Sequence, residues 1–185
     1  MARLRALALG AACCFSLIAC SGITPGTWFT PQSPKLRVSV ARGCAPSDAG
    51  VADVVNTVAG ATLVLPRPTE GLICQYGSRA GSGLPGSTLL VGHRALDGSE
   101  AENLAAVITR LDLRRPSGVF HCPADVGLVT IIGFSYSGRP DVGLWYKASG
   151  CQTLDNGRLG AFQGANPSFA DFQSAIDALV PPLPL

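Results

Sequence analysis

A chain of 185 residues is one domain's worth once a leader is set aside, and it is long enough to bury a core of its own. Only 14% of the residues are charged, while glycine (22) and proline (14) are abundant, which excludes a charged disordered tail and points to a turn-rich globule. The net charge of +2 is carried by Arg3 and Arg5, so acids and bases balance from residue 20 onward, and Arg114-Arg115 is the one adjacent basic pair, read as a solvated helix end; a nucleic-acid partner is excluded.

Met1 to Arg5 holds two arginines and no acid, and Ala6 to Ala19 is an almost unbroken run of small and apolar residues, the pattern of a signal peptide. Its length, about fourteen residues, falls short of the roughly 20 that cross a bilayer, which argues for a leader over a permanent span. Cys13 and Cys14 are small apolar filler within it. The run ends in Leu17-Ile18-Ala19-Cys20, which resembles the lipobox of bacterial lipoproteins: an aliphatic residue, a tolerant position, a small residue and then cysteine. The resemblance implies a thioether between the Cys20 thiol and a diacylglyceryl group, cleavage just before Cys20, and acylation of the new N-terminus. Residues 1–19 are then a lipoprotein signal peptide, and the mature chain is held by lipid at the extracytoplasmic face of the cell membrane. At about 0.8 kcal/mol per buried CH₂, one acyl chain anchors marginally and two anchor stably. Ordinary secretion is the alternative, since Ala19-Cys20-Ser21 is also a small-x-small triplet. Residues 20–35 carry three prolines and no period, and read as a tether. Trp28 and Phe29 within it are expected to dock on the domain, the alternative being the membrane interface. Residues 36–185 form the domain.

Along that domain, Val51, Val54, Val55 and Val58 follow the helical spacing after Ser47, a candidate N-cap. A second helix is signed by Ser99-x-x-Glu102, a capping box, and by Leu104, Val107, Ile108 and Leu111 on one face. A third begins at Ser168 behind Pro167 and carries Phe172, Ala175, Ile176 and Leu179 before Pro181-Pro182 stops it. Strands are expected at Leu72 to Tyr76, Thr88 to Arg94, Leu128 to Tyr136 and Val142 to Lys147, with weaker signals at Leu36 to Val40 and Leu159 to Phe162. Ser137-Gly138-Arg139-Pro140-Asp141 and Asn156-Gly157 are hairpin turns. Short turns between successive strands, with only occasional helices, give the fold class: α+β, a largely antiparallel sheet with about three helices, in a single disulfide-stapled domain.

Cys44, Cys74, Cys122 and Cys151 remain after the lipid site, and an even number in an exported chain suggests two bridges. Of three pairings, Cys122 with Cys151 is favoured because both flank the open end of the 128–147 hairpin, leaving Cys44 to Cys74. Zinc is disfavoured: no Cys-x-x-Cys occurs, and His121 beside Cys122 cannot readily turn both side chains onto one ion. No cofactor is expected.

Catalytic signals are weak. Gly133-Phe134-Ser135-Tyr136-Ser137 approaches the Gly-x-Ser-x-Gly elbow of serine hydrolases but sits in a strand heading for a hairpin rather than a strand-to-helix turn. His93 and His121 are the only imidazole bases. Gly77 to Gly86 is glycine-rich without the Gly-Lys-Ser/Thr ending of a phosphate loop, and is read as a connection in which Arg79 is a minor anion candidate. Glu70, Glu100 and Glu102 offer no catalytic acid pair, the last two being explained by capping. Phe134-x-Tyr136 is expected to face Trp145-Tyr146 across the hairpin, as core filling beneath the 99–111 helix or as a binding surface.

Cys-Pro-Ala-Asp at 122–125, an apolar hairpin, Ser-Gly-Cys-Gln at 149–152 and Asn-Gly at 156–157 resemble small exported proteins of actinobacteria, and the Ala, Gly, Pro and Arg bias fits a GC-rich genome. That resemblance implies export and disulfides and carries over no catalytic residue. The sequence therefore points to a lipid-anchored envelope protein that binds an unidentified envelope protein or lipid without chemistry of its own. A carrier of lipid or small apolar ligands, which needs an apolar cavity, and a serine hydrolase are the alternatives.

Overall fold

The structure, a computed structural model, describes residues 39–47, 62–77, 89–114 and 119–181. The lipobox with Cys20, the tether with Trp28 and Phe29, the helix expected over Val51–Val58, Arg115, and the glycine-rich segment beyond Gly77 with Arg79 lie outside these residues.

Six strands form one antiparallel sheet: β1 (Glu70–Gly77), β2 (Leu89–Leu96), β3 (Val129–Tyr136), β4 (Arg139–Lys147), β5 (Thr153–Asp155) and β6 (Gly160–Phe162). Their spatial order is β2-β1-β3-β4-β5-β6. Two helices, α1 (Gly98–Ile108) and α2 (Phe169–Leu179), pack on each other and on one face of the sheet. The α+β class with an antiparallel sheet is thus as expected, with two α-helices among the described residues. The alternation of strand side chains builds two cores. On the helical face, Ile73, Ile132, Phe134, Leu144, Tyr146 and Leu154 meet Leu104 and Ile108 of α1 and Phe169, Phe172 and Ile176 of α2. On the opposite face a smaller cluster holds Leu72, Cys74, Tyr76, Val129 and Ile131, with Trp145 half-buried against it.

The capping box of α1 stands two residues earlier than Ser99-x-x-Glu102. Asp97 is the N-cap, its carboxylate accepting the Glu100 N–H at 2.9 Å, and Glu100 reaches back to the Asp97 N–H. The chain leaves β2 at Leu96, so Asp97 is the last extended residue, and its charged oxygens are stronger acceptors than the Ser99 hydroxyl, which itself donates to Asp97. The helix buries Ala101, Leu104, Ala105 and Ile108, and the expected face is the one that meets the core, with Leu111 also buried and Val107 packed at its edge. Helix α2 starts behind Ser168 as expected, and Val40 opens a 3₁₀ turn (Val40–Arg42) where a strand end was expected. β5 carries no hydrophobic alternation long enough to be seen in sequence; pairing with β4 and β6 holds it extended.

The β3–β4 hairpin closes on Ser137-Gly138 alone, with Gly138 at φ 68°, and β4 begins at Arg139. Phe134 pairs with Val142 and Tyr136 with Arg139, so Pro140 and Asp141 stand opposite the single residue Ser135. Such a bulge accepts a proline because no ladder bond needs its missing N–H. The register also corrects the expected aromatic pairing: Trp145 pairs with Ile131 and Tyr146 with Thr130, while Phe134 and Tyr136 lie toward the turn. Phe134, Tyr136 and Tyr146 are instead buried under the helices, with Tyr146 in edge contact with Phe172 at 5.0 Å.

Candidate functional site

Both expected disulfides are present. Cys44–Cys74 has a Cα separation of 5.6 Å and Cys122–Cys151 one of 5.0 Å, within bridging range. The first bridge straps residues 39–47 across the non-helical face, helped by the Tyr76 hydroxyl, which donates to the Ala45 carbonyl at 3.0 Å, and by the Val40 N–H, which donates to Asp141 at 2.9 Å. Cys74 is buried in the apolar cluster of that face.

The second bridge holds residues 119–127, a stretch without regular secondary structure, over the far end of the same face. Two contacts fix its side of the sheet. Phe120 stacks edge-on against Phe162 at 4.8 Å, and Asp125 pairs with Lys147 at 2.6 Å. Phe162, Thr153 and Lys147 line up with Val129 by strand pairing, and Val129 belongs to the non-helical cluster. The Ser149 hydroxyl donates to Asp125 at 2.7 Å and accepts the N–H groups of Val126 and Leu128. Burial opposes the charge on Asp125, but hydrogen bonds from Lys147, Ser149 and the Gly127 N–H, with the Lys147 charge, outweigh it and hold the carboxyl at about 2. The loop is held by these polar groups and by the Phe120 ring on Phe162, and it presents Val119 and Val126 outward, Val119 at 87% exposed; with the outer edge of Phe120 they are three of the five exposed large hydrophobics among the described residues. The other two, Leu89 and Val91, sit on β2.

The residues of the hydrolase alternative are not brought together. The Ser135 hydroxyl donates to Asp141 at 2.7 Å across the bulge, and the other Asp141 oxygen takes the Val40 N–H, so this serine joins a strap to the sheet. His93 pairs with Cys74 two strands away, four positions along β1 from the level of Ser135, a separation of about 16 Å from ordinary strand dimensions. His121 is exposed in the 119–127 loop, at the end of the sheet opposite Ser135. Glu100 pairs with Arg94, whose guanidinium also donates to the Leu179 carbonyl at 2.7 Å, tying the start of α1 to the end of α2. Arg114 pairs with Asp112. Among the described residues there is no group of three or more His, Cys, Asp or Glu placed to hold a metal, and no helix long and apolar enough to cross a membrane.

No known protein family, curated protein or solved structure matches the chain.

What sequence reasoning missed is the outward apolar surface of 119–127. Val119-Phe120 and Val126 show no period, and only the bridge and the Asp125–Lys147 pair reveal which side chains are left outside.

Proposed function

We propose that this chain is a bacterial lipoprotein, anchored through diacylglyceryl and N-acyl lipids on Cys20 at the extracytoplasmic face of the cell membrane, whose domain is a binding module. The observation that carries the reading is the pair of disulfides. Each joins cysteines about thirty residues apart, and bridges of this kind persist in the oxidising environment outside the cytoplasm that the leader and lipobox imply. The exposed apolar loop supports the binding role, and the scattering of Ser135, His93 and His121 favours binding over hydrolysis.

Globomycin, which blocks the lipoprotein signal peptidase, should cause unprocessed precursor to accumulate. Cys20→Ala should release the protein from the membrane fraction, and intact mass of the mature wild type should show a lipid-modified N-terminal cysteine. Membrane retention of Cys20→Ala with normal processing would refute the anchoring.

A further inference from the structure

We infer that Cys122 and Cys151 form a reversible thiol–disulfide exchange site, with small thiols and their disulfides as its substrates, while Cys44–Cys74 is a permanent staple. The inference goes beyond a binding role and does not depend on the anchor at Cys20.

Two differences between the bridges carry it. The first is access, because exchange begins with a thiolate that must reach one sulfur of the disulfide. Cys122 is exposed, as are His121, Pro123 and Ala124 around it, and Cys151 is half-buried at a bend beyond β4. Cys74, by contrast, is 3% exposed among Leu72, Tyr76 and Ile131, and Cys44 is half-buried in the strap that lies over them. Attack on that inner bridge requires the strap to lift. The Tyr76 hydroxyl would leave the Ala45 carbonyl, the Val40 N–H would leave Asp141, and the Leu90 N–H would leave the Pro46 carbonyl, which it meets at 3.1 Å. A thiolate released from Cys74 would also stand among apolar side chains without a partner.

The second difference is what holds the two cysteines together once the bond is open. Cys122 lies between two docked residues. Two positions before it, Phe120 stacks on Phe162 at 4.8 Å and uses the space left by Gly164, where a Cβ would come within 2.8 Å of the Phe120 ring. Three positions after it, Asp125 pairs with Lys147, accepts the Ser149 hydroxyl, and sits so close to Gly150 that a Cβ there would be 3.0 Å from its own. These contacts keep Cys122 beside Cys151, at a Cα separation of 5.0 Å, without help from the bond. Two thiols held in this way close again as a unimolecular step.

The chemistry balances with thiols alone. A small thiolate attacks the Cys122 sulfur, the Cys122–Cys151 bond breaks, and its electron pair leaves on Cys151, which takes a proton from water. A second small thiolate attacks the small-thiol sulfur of the mixed disulfide and releases the Cys122 thiol with a small-molecule disulfide. Two electrons have then passed from two thiols to the bridge, and the same steps in reverse return them.

The purified mature protein is treated with reduced glutathione under native conditions, quenched with iodoacetamide at intervals and mapped by peptide mass. Cys122 and Cys151 should be alkylated first, and Cys44 and Cys74 at least about tenfold more slowly, since each strap hydrogen bond that must open slows attack by up to about that factor. Far-UV circular dichroism should stay at its starting value while the first pair reacts, and oxidised glutathione should restore the same pair. Phe120→Ala, which removes one of the two holds, should slow that restoration about tenfold without slowing the reduction or altering Cys44–Cys74. Equal rates for the two bridges, earlier reaction at Cys44 and Cys74, or loss of the dichroism together with the Cys122–Cys151 bond would overturn the inference. So would re-formation in Phe120→Ala at the parent's rate, because the open pair would then owe nothing to the docked loop.

Discussion

Removing either disulfide removes nearly the same loop entropy, so any difference between the two losses reports on their surroundings. The sequence separations are 30 for Cys44–Cys74 and 29 for Cys122–Cys151, and loop-closure entropy for about thirty residues amounts to about 3.6 kcal/mol at 25 °C. Cys122→Ser with Cys151→Ser changes an exposed bridge over a loop that Phe120 and Asp125 still hold, and should destabilise by about 3 to 4 kcal/mol. Cys44→Ser with Cys74→Ser adds a hydroxyl among Leu72, Tyr76 and Ile131, a further cost of about 1 to 3 kcal/mol. Urea unfolding of the mature protein followed by far-UV circular dichroism gives both numbers. The midpoint should fall in each double variant, further for Cys44/Cys74, while the slope with denaturant rises slightly as the unfolded chain expands. Equal losses, or a larger loss at Cys122/Cys151, would refute the assignment of Cys74 to a core position and Cys122 to a surface one.

Asn156 holds the β5–β6 connection by accepting the N–H groups of Arg158 and Leu159 and reaches across to the Leu63 carbonyl at 3.1 Å; Asn156→Ala should cost about 2 to 4 kcal/mol in the same urea assay, because the buried partners lose their hydrogen bonds. Asp125 has a carboxyl held at about 2, below its ordinary 3.8, so its contribution is fully present above pH 4 and is lost as pH falls toward 2. With the Asp125 side chain 43% exposed, solvent screening keeps that contribution to about 1 kcal/mol or less. The stability gap between wild type and Asp125→Asn should shrink between pH 4 and 2; a gap that widens on acidification would contradict the Lys147–Ser149 arrangement.

Much of the fold was legible in sequence because local physics decided it. Near-continuous apolar runs at 72–76 and 128–136, rich in β-branched and aromatic residues, marked the central strands, which are buried on both faces; the spacing of Leu104 and Ile108 wrote α1, and a hairpin between two cysteines required its ends to meet, which fixed Cys122 to Cys151. Where two local signals competed, the outcome depended on the surrounding fold. Ser99 and Asp97 both qualify as caps, and the point at which the chain leaves β2 chose Asp97. The Ser137–Asp141 turn residues admit several registers, and packing of Phe134 and Val142 under the helices selected the bulge that separates the hairpin aromatics. The candidate site was the least legible part. Exposure of Val119, Phe120 and Val126 is set by which residues elsewhere in the chain cover or leave open each side chain. The sequence alone carried the lipobox resemblance at Leu17 to Cys20, on which the proposed anchoring rests, and the number of cysteines available to pair. Only the tertiary structure decided that Ser135 turns to Asp141 instead of an imidazole, and that the 39–47 strap and the apolar loop share one face, because both depend on strand register, a long-range property that no local pattern encodes.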